Sequence, residues 1–349
     1  MSAFDELHVD HVGLAVDDLA RATELFTNGY GLSVQARAAN APLADGVRTV
    51  ALRRKDIRIV LTEVRHADHP AAAFVQQHGD GVFDIALGTP DAVSAFSEAV
   101  RRGARPVAAP AEHDGVVTAS VTAFGDVTHT FVQRPAQPDD VRPAESGHDV
   151  GLHTIDHFAV CLEPSHLEPT VRFYETVLDF KTVFTEHVVV GAQGMNSTVV
   201  QSRSGAVTLT LIEPDLSRRP GQIDQFLKNH GGAGVQHIAF ATDDIVRDVG
   251  LLSGRGIEFL TTPGTYYDLV PGRLRPVQHS VDQLRALNIL VDQDQDGQLL
   301  QIFTRSTHPR GTLFFEVIER LGARTFGNGN IRALYSAVEL QQTRDEATR

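Results

Sequence analysis

Short apolar runs alternate with amphipathic stretches along this chain, and the same alternation occurs twice. Residues 8–37 read HVDHVGLAVDDLARATELFTNGYGLSVQAR and residues 154–183 read TIDHFAVCLEPSHLEPTVRFYETVLDFKTV. Each places an Asp-His pair, Asp10-His11 or Asp156-His157, at the head of an apolar segment that predicts a strand. An amphipathic helix, a Gly or Asp turn and a second strand follow. A second matching pair starts at Gly81 (GVFDIALGTPDAVSAFSEAVRRGARPV) and at Gly234 (GVQHIAFATDDIVRDVGLLSGRGIEFL). Both predict a strand, an Asp-containing cap, a helix, a Gly turn and a strand. The pattern is that of a duplicated α+β chain with two strand–helix–strand units per half.

The stretch between the halves, PAQPDDVRPAESGHDV, is rich in Pro, Asp and Gly and predicts a linker. The expected division is a first half over 1–134, a linker over 135–151 and a second half over 152–349. The second half ends on a piece without a counterpart in the first. GNGN, from Gly327 to Asn330, predicts a turn and helix entry, and Ile331, Leu334, Tyr335 and Val338 share one face of the helix that follows. That face must bury itself over the mouth of a cavity, on the outside of the fold or on a partner subunit.

Composition narrows the function. With 349 residues and 42% hydrophobic content, the chain is expected to be a soluble protein of more than one domain. It has no apolar run near the roughly 18 residues of a membrane helix. The acidic start, Met1 to Asp10, is unlike a signal peptide, so a cytoplasmic location is expected. The one cysteine, Cys161, excludes an internal disulfide and a cysteine-rich zinc site, and its setting in IDHFAVCL predicts a buried strand residue. The net charge of −13 and the short, scattered basic runs exclude nucleic acid as a partner. The 16 histidines are too many for composition to choose among them, so position must select.

Position selects three residues. His157 in IDHFAV and His237 in VQHIAF stand at related points of repeated units, and pairing of their strands would bring them together. Glu316 lies in the apolar strand LFFEVIER, where a buried carboxylate is costly without a partner. Two histidines and one carboxylate form the facial triad of non-haem Fe(II) oxygenases, which leaves positions free for a bidentate substrate and O₂. The first half offers His11, Asp84 and Thr130 at the matching points. Thr130 is no carboxylate, so one metal site is expected, in the second half, with the first half as scaffold.

At these residues the chain resembles the 4-hydroxyphenylpyruvate dioxygenase family of the vicinal oxygen chelate superfamily. The resemblance covers nearly the whole chain. It is carried by IDHFAV, the Asn196-Ser197 pair in MNSTVV, GQIDQFL, GAGVQHIAF, TPGTYYDL, LLQIFT, FFEVIER and FGNGN. It implies paired βαβββ modules in each half, wrapped as an open barrel around one Fe(2+), with His157, His237 and Glu316 as ligands. It also implies O₂ as co-substrate and an aryl 2-oxo acid, 4-hydroxyphenylpyruvate, as substrate. Gln301 would then donate to the substrate carboxylate or ketone. Ser197, Thr210 and Gln222 would meet the phenol end, while Phe315 and Phe326 would pack on the ring. Gln222 also reads as a helix-surface amide, and the two phenylalanines also read as core. Tyr266 and Tyr267 are expected to be packing residues.

Members of this family hydroxylate either the ring, giving homogentisate, or the benzylic carbon, giving 4-hydroxymandelate for the 4-hydroxyphenylglycine of peptide antibiotics. The homogentisate-forming pattern has Pro-x-Asn before Glu-Pro and an aromatic after FGxGN. Here those positions hold Thr210, Ile212 and Ile331, a departure toward the benzylic branch; Gly329 does not separate the branches. The alternatives are the homogentisate-forming enzyme and a metal-free binder of small aromatics on the same fold. A homo-oligomer is compatible with either.

Overall fold

The computed structural model describes residues 2–35, 46–64, 70–135, 149–327 and 329–330. Sixteen strands are found among them. The first half holds β1 (His8–Ala15), β2 (Ser33–Val34), β3 (Val47–Arg54), β4 (Ile57–Val64), β5 (Gly81–Gly88), β6 (Pro106–His113), β7 (Val116–Thr122) and β8 (Thr128–Gln133). The second holds β9 (Thr154–Cys161), β10 (Lys181–Val190), β11 (Gln193–Gln201), β12 (Thr208–Pro214), β13 (Gly234–Ala241), β14 (Leu290–Gln293), β15 (Gln298–Phe303) and β16 (Phe314–Leu321). They form two open sheets of eight, ordered β2-β3-β4-β1-β5-β8-β7-β6 and β10-β11-β12-β9-β13-β16-β15-β14. The second order is the first with eight added to every number, so the duplication read from the sequence is a duplication of topology.

Each unit is a βαβββ module, and short polar signals start its helix. The helices α1 (Leu19–Glu24), α2 (Pro70–His78) and α3 (Ala92–Arg101) belong to the first half, and α4 (Leu167–Val177), α5 (Gln222–His230) and α6 (Ile245–Gly254) to the second. Asp91 and Asp244, at matching points of the repeat, cap α3 and α6 by accepting from the backbone N–H of Ser94 and Arg247. An insert in the last module adds α7 (Gly264–Arg273) and α8 (Val281–Ala286). Tyr266 and Tyr267, both buried, fix this insert, and the Tyr266 hydroxyl bonds Val291 and Asn330.

Alternation along the strands separates two environments. Phe158, Val160, Leu209, Leu211, Ile238, Phe240, Phe315 and Val317 join one large core with residues of the first half. Phe315 stands against Phe26, Tyr30 and Phe240, with ring centroids 5.1–5.5 Å away. The buried Tyr174 of α4 bonds His129 of β8 at 2.9 Å, and the matching histidines His78 and His230, ending α2 and α5, stack at 4.2 Å. The two sheets therefore share one apolar interior. The opposite face of the second sheet forms a cup that belongs to that half alone.

Phe315 is thus a correction to the sequence reading: it is a wedge between the halves on the far side of its strand from Glu316, because neighbouring strand residues point to opposite faces. Phe315→Ala is expected to cost about 3–5 kcal/mol of stability, read as a lower urea midpoint, with metal uptake by the folded protein unchanged. A lost metal site at unchanged stability would place Phe315 in the cup after all.

Candidate metal centre

Three adjacent strands supply the cup's polar centre. His157 on β9 faces Ala239 on β13, and Ala239 faces Glu316 on β16, so these three stand in one row across the sheet. His237 lies two residues along β13, opposite Ala159. The Nε2 atoms of His157 and His237 each lie 3.3 Å from Glu316 Oε2. All three candidate ligand atoms fall within 4.8 Å of one another. Metal–ligand bonds of about 2.1 Å put neighbouring ligands about 3 Å apart, so the set matches the spacing a metal ion needs. Ala239, fully buried between His157 and Glu316, keeps the space between them clear.

The electrostatics have the same origin. Glu316 is 2% exposed. Burial would raise its pKa, but the two imidazoles, His157 foremost, outweigh burial and hold it at about 2. Burial would likewise lower that of His157, but Glu316 and Asp156 prevail and lift it to about 9. Burial dominates at His237 and lowers its pKa. The cup thus holds an ionised carboxylate whose counter-charge comes from ligand-type side chains. Among the described residues, His237 Nδ1, Thr210 Oγ1 and Gln301 Oε1 are buried without a hydrogen-bond partner. Buried polar atoms of this kind, gathered around a carboxylate, suit a polar ligand.

The strands also set the tautomer of His157. The β9–β13 register skips Asp156, the extra residue of a β-bulge. Its carboxylate accepts from His157 Nδ1 at 2.8 Å and from the Arg320 guanidinium at 2.7 and 2.8 Å. Nδ1 keeps its proton whether or not the ring is charged, so Nε2, which faces Glu316, is the atom that would bind a metal on losing its own. The first half repeats this: the register skips Asp10, which bonds His11 and Arg134, each contact 2.7 Å long. There Asp84 Oδ1 is already occupied by the hydroxyls of Thr128 and Thr130, at 2.7 and 2.9 Å.

Ser197, Thr210 and Ile212 sit on β11 and β12, with Thr210 beside Ala159, Ile212 beside Cys161 and Ser197 opposite Ile212. Ile212, Ala159, Cys161, Ile223 and Phe226 close one end of the cup. Ala239, Leu299, Ile318 and Ala323 form a second small cluster. Phe326 meets His157 edge-on at 5.1 Å. Gln301 is buried, and a Cβ at Gly327, where φ is +78°, would collide with its amide. Gly329 is held in the same way against Asp292, whose Oδ2 accepts from the Gly329 N–H at 2.8 Å. Gln222 is the exposed first residue of α5, while its neighbours Ile223 and Phe226 face the cup. Ile331 and the helix expected at the C-terminal end lie outside the described residues.

Two aromatic residues escaped the sequence reading. Phe314 stacks on His237 at 4.9 Å, and Phe303 meets the same ring edge-on at 5.7 Å. Period-2 counting would have found both, since Phe314 stands two before Glu316 and Phe303 two after Gln301.

The comparisons with known proteins bear on the fold and the family. Models of the glyoxalase/bleomycin resistance protein/dioxygenase superfamily match residues 10–119 and 154–269, one in each half. The architecture is the vicinal oxygen chelate fold. A 4-hydroxyphenylpyruvate dioxygenase of Dictyostelium discoideum is 33% identical over 95% of this chain and 97% of its own. One of Aspergillus fumigatus is 31% identical over 95% and 92%. The solved structure of a triple mutant of 4-hydroxymandelate synthase from Streptomyces coelicolor superposes with a TM-score of 0.83. It is 41% identical and covers 96% of this chain and 98% of its own. The chain belongs to the 4-hydroxyphenylpyruvate dioxygenase family.

Ala239→Leu is expected to fill the gap in the ligand row. Calorimetric titration should then show loss of stoichiometric Fe(II) uptake, with overpacking costing about 1–3 kcal/mol of stability. Undiminished uptake would show that the metal sits elsewhere.

Proposed function

We propose that this protein is an Fe(II)-dependent 2-oxo acid dioxygenase of the 4-hydroxymandelate synthase type. It converts 4-hydroxyphenylpyruvate and O₂ to 4-hydroxymandelate and CO₂, a precursor for 4-hydroxyphenylglycine in peptide antibiotics. The buried set of His157, His237 and Glu316 carries this reading, because its donor types, spacing and counter-charge fit one divalent iron. Membership of a dioxygenase family supports it independently.

Iron, when bound, supplies the centre that chelates the 2-oxo acid and activates O₂. The chain supplies position. Asp156 keeps the His157 Nε2 lone pair aimed at the centre. Gln301, buried against Gly327, offers its amide to the substrate's carboxylate or ketone. Phe303, Phe314 and Phe326 wall the cup beside the two histidines and exclude water from it. Thr210 places within the cup a hydroxyl with no partner among the described residues, and Ile212 makes its neighbourhood apolar. Without an amide at 212 the phenol end has one polar tether fewer, so the ring tilts and presents the benzylic carbon. The 41% identity to a 4-hydroxymandelate synthase over 96% of the chain supports the same outcome.

The homogentisate-forming reaction is the second reading, favoured by the names of the relatives at 33% and 31% identity. Chromatography of the product formed from 4-hydroxyphenylpyruvate, O₂ and the Fe(II)-loaded protein decides between them. The expected product is 4-hydroxymandelate; homogentisate would keep the metal and overturn the reading of Thr210 and Ile212. Glu316→Ala and treatment with a chelator are each expected to abolish O₂ uptake. Activity retained in both would leave the triad without a role.

A further inference from the structure

The triad is reached by one guanidinium that touches none of its donor atoms. Arg320 follows Glu316 by four residues on β16 and makes three kinds of contact. Its Nε and Nη2 grip both oxygens of Asp156, at 2.7 and 2.8 Å. Its Nη1 donates to the carbonyls of Ala323 and Thr325, at 3.2 and 2.7 Å. Its plane lies under Phe326, with Cζ 4.9 Å from the ring centroid. Phe326 in turn stands 5.1 Å from His157. A closed circuit results: Arg320, Asp156, His157, Phe326 and back to Arg320.

The first half shows what such an arginine does without a site. Arg134 grips Asp10 with the same two-pronged geometry, and Asp10 holds His11. The fork is therefore a fold feature of the bulged strand. Among the described residues the wall is found in the second half, where the chain continues past Arg320 through Ala323 and Thr325 to Phe326. Asp294 secures the same segment by accepting from the N–H groups of Arg324 and Thr325 at 2.7 and 2.9 Å.

We propose that Arg320 is a positioning residue that ties the metal ligand His157 to the substrate-ring wall Phe326, so that metal affinity and the aim of hydroxylation depend on one side chain. The inference rests on the metal reading given above. One branch runs through Asp156 and fixes the tautomer and angle of His157. The other runs through the two carbonyls and the ring face and fixes Phe326. Lysine keeps the charge but offers neither the planar fork nor the stacking face.

Four variants separate the branches: Arg320→Lys, Asp156→Asn, Phe326→Leu and, in the first half, Arg134→Lys. Two quantities are measured on each: the Co(II) dissociation constant by calorimetry, and the fraction of consumed O₂ recovered in hydroxylated product at saturating Fe(II). Arg320→Lys is expected to weaken Co(II) binding about 10–100-fold, as lost support of a ligand does, and to lower the recovered fraction. Asp156→Asn should reproduce the loss of affinity alone, and Phe326→Leu the loss of recovery alone, with affinity within about twofold of wild type. Arg134→Lys should change neither. Wild-type affinity and recovery in Arg320→Lys would overturn the proposal, as would an equal loss of affinity in Arg134→Lys, which would mark general loosening of the fold. Failure of the wild-type protein itself to bind one equivalent of Co(II) or Fe(II) would remove the metal reading, a result distinct from either.

Discussion

The second half is organised around one buried carboxylate. Glu316 lies in an apolar strand, fully desolvated, where an uncompensated charge would cost several kcal/mol. Compensation comes from two imidazoles at 3.3 Å, delivered by two neighbouring strands. The arrangement constrains its surroundings. Ala239 must be small, Asp156 must leave the ladder to reach His157, and Arg320 must neutralise Asp156. Each of these answers the problem that Glu316 creates.

Duplication provides the frame in which this is possible. Both halves have one strand order, the same bulge at the Asp of the Asp-His pair and the same arginine fork upon it. They differ at the third position. Where the second half has Glu316, the first has Thr130, whose hydroxyl donates to Asp84. Burial raises the pKa of Asp84, and the donated hydrogen bonds and His11 oppose this. At the matching points of the first half Asp84, Thr128 and Thr130 bond one another, while in the second half His237 Nδ1, Thr210 Oγ1 and Gln301 Oε1 are buried with no hydrogen-bond partner among the described residues. Sharing of one core through Phe26, Tyr30, Phe240 and Phe315 makes the first half a support for the second.

The walls of the cup follow from strand parity and from two tight glycines. Phe303 and Phe314 point inward because they are in phase with Gln301 and Glu316, and Phe315 points outward because it is not. Gly327 and Gly329 let the last turn approach Gln301 and Asp292 at distances that a side chain would forbid. The turn is thereby seated beside the triad, and Phe326 is delivered to the ring of His157.

Much of this was legible in the chain. Repeated Asp-His strands disclosed the duplication, since a module that buries one face must carry the same apolar rhythm each time it occurs. His157, His237 and Glu316 stood out because polar residues in apolar strands need a reason. The linear pattern could not decide which neighbours the strands would have. Asp156 appeared only as half of a repeated pair; its work depends on a skipped register and on an arginine 164 residues away. Phe315 reads from the sequence either as ring wall or as core; strand parity puts it on the face opposite Glu316, and only the packing of the first half against that face shows what it meets. The sequence determined the modules and the candidate ligands, because these are set by local rhythm and residue chemistry. Only the tertiary structure decided which side chains share the cup, because that is set by register between strands far apart in the chain.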